Sequence, residues 1–522
     1  MNNNYTPTQF EYSAFQLKLP LDIGIKIPSD DPVRTFIKVL EGVNLRKYLP
    51  NKTGRGRNGY DPYMMLKVVL FAYTNGIYSL REIESALKTD IRFMYLANEE
   101  TPSFKTIGEF ISSLQDNIHD IFIDINKYLL DNDDSIIDKD TLYIDGTNYE
   151  ANANKFSFVW KKTALKTKER KLKQINDKLF ILSCLFSEYN LKYEEVKSSK
   201  ETQLYLDKLI EISKDVGINF CYGKGLRKKP LQKYYDEISK LNESLISAEE
   251  RIRICGDDRN SYSKTDNDAT FMHMKYDYYN NTGVFKPGYN LQCALTDEYV
   301  TQLYVSNQRT DTRTLPFVLD RYKDDYGKYP LNLVADAGYG SYNNYMYLLD
   351  NNINAYVKYN TYTKEKKDKP KRFDSINFKY TDNDEFICPE SKILSFEKEV
   401  YDESDDYLKI TRHYRCNDCH ECPFKKECTK SELGRSIQKN FILDELRLNA
   451  KTLLDSDIGK KYRDNRSIFA EGVYGVIKQD YEYVRLHRRG ILKTELELTL
   501  VIIGFNLNKY HNKLYRKQTI IH

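Results

Sequence analysis

The spacing of apolar residues changes twice along the chain, and each change predicts a different kind of structure. Residues 1–59 read as a polar segment that runs into the Gly- and Arg-rich stretch NKTGRGRNGYDP. From residue 60 the apolar positions take helical spacing. Pro62 suits a first helical turn, MMLKVVLFAYTN is strongly apolar, and Gly76 suits a C-terminal stop. Ser79 and Glu82 form an S-x-x-E box that opens SLREIESAL, and a short helix is expected through IRFMYLA. Thr106 and Glu109 form a second box, after which Ile107, Phe110, Ile111 and Leu114 share one helical face. Residues 60–135 thus predict a domain of short helices, open to two readings: a helix-turn-helix-like module or an ordinary bundle.

At Asp140 the period shortens. TLYIDGTNYEANAN reads as a strand with Asp145 at its end and a turn at Gly146. Residues from about 160 to 250 are Lys/Glu-rich with helical periodicity, which predicts a long helical hairpin inserted into something else. GYNLQCALT and YVTQLYVS then read as two strands around the turn Asp297-Glu298, and TLPFVLDRYKDDYG as a helix. YPLNLVADAGYG is a strand with Asp336 near its C-terminal end, followed by the helix YNNYMYLLDNN and the strand NAYVKYN. A charged loop, KEKKDKPKR, leads into a Cys-rich region, and the C-terminal part is helical. This order predicts an α/β fold, a ribonuclease H-like core interrupted twice. Its segments are 136–360 and 440–515, with the Cys-rich insertion over 361–439. Such a core does not by itself establish chemistry.

Composition narrows the class. A chain of 522 residues, 40% hydrophobic and 30% charged, describes two to four globular units. No segment approaches the roughly 18–20 apolar residues of a membrane span, and MNNNYTPTQF lacks a signal peptide's pattern, so a cytoplasmic protein is expected. The net charge of +4 hides basic clusters at Lys155–Lys173, Lys364–Arg372 and Lys478–Lys517. Each is read as a phosphate-binding patch or as a solvated helix face.

Asp145 and Asp336 each sit where an apolar strand meets a Gly-containing turn. Strand ends on neighbouring strands can bring carboxylates together, as two magnesium ions about 3.5–4 Å apart require. Either Asp alone also reads as a turn or cap residue. In NRSIFAEGVYGVIKQD, Glu471, Tyr474 and Lys478 fall at i, i+3 and i+7 and share one helix face over about 10 Å.

The segments YIDGTNYEANANKFSFVWKK, RNSYSKTDNDATFMHMK, FKPGYNLQCALT, VADAGYGSYNNY and RSIFAEGVYGVIKQDYEYVRLHRRG resemble bacterial insertion-sequence transposases with a DDE active site, in the subgroup with a cysteine-rich insertion before the final Glu. The resemblance runs from about residue 60 to about 512. It implies that Asp145, Asp336 and Glu471 are catalytic acids holding Mg2+ (or Mn2+). It also implies that Tyr462, Arg466, Glu471 and Lys478 fill a Tyr, Arg, Glu, Lys signature, although the first two gaps are each one residue longer than in the best-known pattern. Lys478, Arg466, Arg485, Arg488 and Arg489 are expected to contact DNA phosphates. Asn148, Asn152 and Asn154 are expected to shape the turn after the first acid. Ser261, Tyr262, Asp266, Asp268 and Lys275 either line a DNA channel or hold the fold, and Lys286 and Tyr289 share the motif without an assigned role. The implied reaction is hydrolytic nicking at element ends that frees a 3′-hydroxyl, which is then joined to target DNA by a homodimer on DNA. The N-terminal helices would read the ends. Two alternatives are a catalytically silent, zinc-stabilised DNA-binding regulator and a nuclease that cuts without joining.

Of nine cysteines, Cys184, Cys221, Cys255 and Cys293 are scattered, and each reads as a small buried hydrophobe. Cys416, Cys419, Cys422 and Cys428, with Cys388 upstream as an alternative, suit a structural Zn2+. His420 also competes for a place, and reduced free thiols are the other reading. Phe424, Lys425 and Lys426 would project from such a knuckle toward DNA.

Overall fold

The structure, a computed structural model, describes residues 23–50, 59–189, 191–222, 227–274, 284–367, 371–419 and 421–520. Lys275 and His420 lie outside them, as do most of NKTGRGRN and residues 368–370 of the charged loop. The fold is mixed α/β, and the chain divides into two compact units: residues 1–133 with 500–522, and 134–499.

The first unit is helical: α1 (Pro32–Glu41), α2 (Pro62–Thr74), α3 (Leu80–Thr89), α4 (Ile91–Leu96), α5 (Phe104–Ser113) and α6 (Ile118–Asn132). Helix α2 starts as its sequence indicates, with Pro62 in the first turn and Asp61 capping the Tyr63 amide. Nearly every α2 side chain from Met64 to Thr74 is buried, so it forms the centre of this unit. Phe71 meets Phe36 and Phe93, each with ring centroids 5.2 Å apart.

Three local expectations change. The segment read as polar contains α1, which Asp31 caps and which buries Val33, Phe36, Val39 and Leu40. Ser79 precedes α3 but makes no side-chain cap bond. Helix α5 begins before Thr106, because Ser103 Oγ accepts from the Thr106 amide and Glu84 from the Phe104 amide. Residues 500–522 of the last helix also group with this unit, whereas the sequence reading kept 440–515 together. The reason is close backbone packing: a Cβ on Gly504 would lie 2.7 Å from Tyr73 backbone atoms. Asn506 and Asn126 are joined there by a buried hydrogen bond of 2.8 Å.

The second unit is built on a six-stranded sheet: β1 (Thr141–Glu150), β4 (Thr270–Met274), β5 (Val284–Thr296), β6 (Tyr299–Ser306), β7 (Asn332–Ala335) and β8 (Asn354–Val357). The order is β4-β5-β1-β7-β8, with β6 also on β5. Strands β1, β7 and β8 are parallel to one another, and β1 is antiparallel to β5. Parallel neighbours need crossovers. The last of these carries α11 (Tyr342–Asp350), which follows α10 (Leu315–Tyr326) in the chain. Leu142, Ile144, Leu333, Ala335, Val318, Leu319, Tyr345 and Leu348 form the core beneath the sheet.

Two insertions interrupt this sheet. Between the short strands β2 (Phe158–Trp160) and β3 (Ser261–Ser263) rise α7 (Lys161–Leu185), α8 (Ser199–Asp215) and α9 (Pro230–Cys255). The expected hairpin therefore has an additional helix, because Tyr205, Leu206 and Leu209 of α8 fill the core against Leu179, Leu182 and Ile238. After the short helix α12 (Tyr362–Lys367), the Cys-rich insertion forms a five-stranded antiparallel sheet. Its strands are β9 (Lys379–Tyr380), β10 (Phe386–Ile387), β11 (Ile393–Asp402), β12 (Lys409–Arg415) and β13 (Ser436–Lys439), with the single turn α13 (Lys425–Cys428). Three helices close the chain: α14 (Phe441–Asp455), α15 (Asp457–Gly475) and α16 (Ile491–Ile520).

Candidate active site

Strand β1 does not turn at Gly146. It continues to Glu150 because β5 is long enough to pair with it from Leu295 to Gly288. Asp145 is therefore a mid-strand residue, and Gly146 is there for space: a Cβ would lie 2.3 Å from Gln292 Nε2 and 2.6 Å from Asp311 Oδ1. On the other edge of β1, pairing with β7 ends at Tyr143–Val334. Asp145 lies two residues further along β1 and Asp336 immediately past the end of β7, near enough that the Asp336 charge acts on Asp145. Asp336 also acts as a cap, its Oδ1 accepting from the Gly338 amide at 2.8 Å. The turn reading of this residue holds, and it does not take Asp336 away from Asp145.

The third acid arrives on α15. Tyr474, buried, donates to the backbone oxygen of Asp145 at 2.7 Å. Lys478 donates to Thr147 Oγ1 at 2.6 Å and to the Asn148 oxygen at 3.0 Å, with its ammonium 4.5 Å from the centre of the Tyr149 ring. Tyr474 and Lys478 are thus docked on β1, while Glu471, on the same face, keeps its side chain 61% exposed. A π-helical turn, Val476–Asp480, widens the helix at Lys478; such turns cluster at functional sites.

Arg466 joins the acids. Its Nη1 lies 3.6 Å from Asp145 Oδ1 and its Nη2 3.8 Å from Glu471 Oε1. Nη1 is buried and makes no hydrogen bond among the described residues. The structure places this guanidinium between carboxylates, where the sequence had it contacting phosphate. Burial pushes the Asp145 carboxyl up to about 6; Arg466 opposes the shift, and the neighbouring charges of Asp336 and Asp311 add to it. Tyr462, at the other end of the signature, is structural: its hydroxyl donates to Asp138 at 2.9 Å and its ring packs on Tyr143 and Tyr356.

Two residues near this group escaped the sequence reading. Lys358, just past β8, has its ammonium pushed below its ordinary range by burial and by Arg466 and Arg463, with Asp336 and Glu471 pulling the other way. Asp311 follows β6 and approaches both Gly146 and Gly338. A lone Asp in NQRTDTRT carries no signal beyond a turn.

The basic residues Arg485, Arg488 and Arg489 lie on the loop before α16, which is strapped to the end of β1. Arg489 donates to the Asn152 oxygen at 2.7 Å, Asn152 donates to the His487 oxygen at 2.6 Å, and Arg485 lies 3.6 Å from Glu150. Glu150 also pairs with buried Lys286 at 2.7 Å. Asp266 accepts from Tyr289 at 2.9 Å and from the Gly490 amide, while Asp268 accepts from the Ile491 amide at 3.0 Å. Ser261 accepts from the Phe271 amide, and Tyr262 packs with Val159 and Cys255. These motif residues position the arginine loop and hold the insertion's base. Asn148 donates to the His273 oxygen, and Asn154 accepts from the Phe156 amide.

Cys388, Cys416, Cys419, Cys422 and Cys428 line one cavity of about 20 Å³, room for a single water or ion. Burial and the neighbouring thiols push Cys416 up to about 12. Of the cysteines read as scattered and buried, Cys255 and Cys293 are buried, Cys221 is half-buried and Cys184 is exposed. Among the described residues no group of three or more His, Cys, Asp or Glu side chains forms a ready-made metal cage, and no helix is long and apolar enough to cross a membrane.

Residues 387–511 match the family model described as a transposase DDE domain, and residues 21–113 match the one described as a transposase domain (DUF772). No curated protein and no solved structure matches the chain.

Proposed function

The chain belongs to the insertion-sequence transposases of the DDE type, and we propose that it nicks DNA at the ends of its element and joins the freed 3′-hydroxyls to target DNA. Transposition on a DNA substrate is the function these families carry. The finer reading rests on one observation: an acid of β1, an acid just past the neighbouring parallel strand and a helix acid converge, with Arg466 within 4 Å of the first and the last. A ribonuclease H-like core over 136–360 and 440–499, with a helix-turn-helix-like DNA-binding domain over 60–135, accommodates that arrangement.

Asp145, Asp336 and Glu471 are the residues that would hold Mg2+ or Mn2+. The fit comes from burial and charge: burial first, and then the neighbouring charges of Asp336 and Asp311, push Asp145 up to about 6, and a divalent cation would offset both costs of the ionised carboxylate. When bound, magnesium activates the attacking water or hydroxyl and stabilises the leaving oxygen. The chain's own residues do the positioning. Arg466 holds Asp145 and Glu471 toward each other, Tyr474 fixes the β1 backbone at Asp145, and Lys478 locks the π turn to Thr147 and Asn148. Arg485, Arg488 and Arg489 offer phosphate contacts, and a homodimer brings two ends together. The five thiols around one ion-sized cavity suit a structural Zn2+.

The test uses purified protein, Mg2+, labelled DNA from either side of the coding region and a target plasmid. Cleaved and joined products are expected from the wild type, with neither from Asp336→Ala, which still binds DNA. Binding without cleavage supports a regulator, cleavage without joining supports a nuclease, and full cleavage by the variant refutes the site.

A further inference from the structure

Asp311 lies where the chain leaves β6 and starts α10, and its backbone is fixed there. Thr314 Oγ1 donates to the Asp311 oxygen at 2.7 Å, and Thr312 Oγ1 donates to the Gly338 oxygen at 3.1 Å. This second bond ties the Asp311 turn to the Asp336 turn.

The side chain is used unevenly. Oδ1 accepts from Asn290 and from Gln292, both at 2.7 Å. Oδ2 makes no hydrogen bond among the described residues and faces the bare side of Gly338. A Cβ on that glycine would lie 3.0 Å from Asp336 Oδ1 and 3.6 Å from Asp311 Oδ2. The two carboxylates therefore flank one point, kept open by the absence of a side chain. Gly146 does the same on the other flank, where a Cβ would lie 2.6 Å from Asp311 Oδ1. Glycine at both positions lets Asp311 sit between Asp145's strand and Asp336's turn.

Charge gives the independent argument. Among the described residues neither Asp311 nor Asp336 is paired with a basic side chain; of the two basic residues flanking Asp311 in sequence, Arg313 turns away to Asp258 and Asp405, and Arg309 forms no ion pair among the described residues. A residue needed only to anchor Asn290 and Gln292 could be a neutral amide. Arg466 reaches Asp145 and Glu471 but makes no ion pair with Asp311 or Asp336, so a third negative charge kept beside Asp145 and Asp336 is unfavourable unless a further cation balances it.

We infer that Asp311 is a fourth carboxylate of the metal-binding group, presenting Oδ2 to the same space as Asp336 Oδ1. The inference rests on the metal-site reading of Asp145 and Asp336. Asp311→Asn is the informative change, because an amide oxygen still accepts from Asn290 and Gln292 while the charge is lost.

The experiment titrates Mn2+ alone into the full-length wild type, Asp311→Asn, Asp145→Asn and Asp336→Asn, reading free Mn2+ by its paramagnetic resonance signal. Thermal melts without metal run alongside. Asp311→Asn should bind Mn2+ at least tenfold more weakly than the wild type, with a metal-free melting temperature equal or higher. Wild-type Mn2+ affinity in a folded Asp311→Asn overturns the inference. Wild-type affinity in Asp145→Asn and Asp336→Asn overturns the metal-site reading itself. A second measurement needs no variant: Fe2+ with ascorbate should cut the wild-type backbone beside residue 311 as well as beside 145 and 336. Cuts at the latter two without one near 311 also overturn it.

Discussion

Replacing Glu497 by glutamine removes a buried charge that organises the arginine loop. Glu497 lies two turns into α16 and is 2% exposed. Its Oε1 accepts from the Tyr483 hydroxyl at 2.5 Å, from the His487 amide at 2.9 Å and from His487 Nδ1 at 2.9 Å, while Oε2 accepts from the Arg488 amide at 2.8 Å. Glutamine keeps one oxygen. With that oxygen at the Oε1 position, its NH2 faces the Arg488 amide, donor against donor; reversed, three donors lose their acceptor. Hydrogen bonds to an ionised group are worth about 1.5–3 kcal/mol each, and breaking a buried charged cluster costs about 3–5 kcal/mol. Relief of the carboxylate's own desolvation offsets part of this. The net expectation is a loss of about 2–4 kcal/mol.

Urea unfolding of the full chain, followed by Trp160 fluorescence, measures it, since the only tryptophan lies in the same unit as Glu497. The pH dependence has two limbs. The bond to Glu497 raises the His487 pKa above its ordinary 6.5, so that stabilisation is full below pH 6.5 and is lost as pH rises through the folded value. The Glu497 carboxyl is held below 4.5: burial raises it, but bonds from His487 and Tyr483 outweigh burial. Its stabilisation is full above pH 4.5 and is lost as pH falls through the folded value. The pair is strongest between about pH 4.5 and 6.5, and the alkaline limb should vanish in the variant. His487 is largely exposed, so that limb is shallow. DNA affinity should fall about tenfold, equivalent to about 1.4 kcal/mol, as Arg485, Arg488 and Arg489 lose their fixed backbone. A loss below about 1 kcal/mol, less than one net hydrogen bond, refutes the account of Glu497 as the loop's anchor.

Gly146→Ala should destabilise the second unit by about 1–3 kcal/mol, because its methyl group meets Gln292 and Asp311 inside a paired strand; a urea midpoint equal to the wild type's counts against that packing. Elemental analysis of the purified protein should return one zinc per chain and none from the double variant Cys419→Ser, Cys422→Ser. Zinc absent from the wild type removes the zinc assignment.

How much of this site the sequence disclosed depends on the range of the interaction that built it. The strand character of Leu142–Ile144 and the Tyr474–Lys478 helix face were legible, because each is written in neighbouring residues. The continuation of β1 past Gly146 was not. A glycine reads locally as a turn, and only pairing with β5, more than a hundred residues away, holds it extended. The Cys-rich sheet was hidden for a different reason. Its strands carry Glu397, Glu399, Arg412 and Arg415, which pair across β11 and β12 and interrupt the apolar alternation. Helix α1 was masked by the polar residues around its buried Val33, Phe36, Val39 and Leu40.

The arginines show the same limit in chemical form. A sequence gives the charge of Arg466, Arg485, Arg488 and Arg489 but not its company, and company separates their roles. Arg466, with its side chain 11% exposed, lies among acids. Arg485 and Arg489 are exposed on a loop whose backbone is held from beneath by Glu497, Asp266 and Asp268. Acids beneath that loop therefore hold its amides, while Arg485 and Arg489 stay exposed even with Arg489 Nε on the Asn152 oxygen and Arg485 3.6 Å from Glu150. On the proposed function, Asp266 and Asp268 of the segment RNSYSKTDNDATFMHMK would serve DNA binding by holding the Gly490 and Ile491 amides of the arginine loop, the fold-holding one of the two roles expected for them.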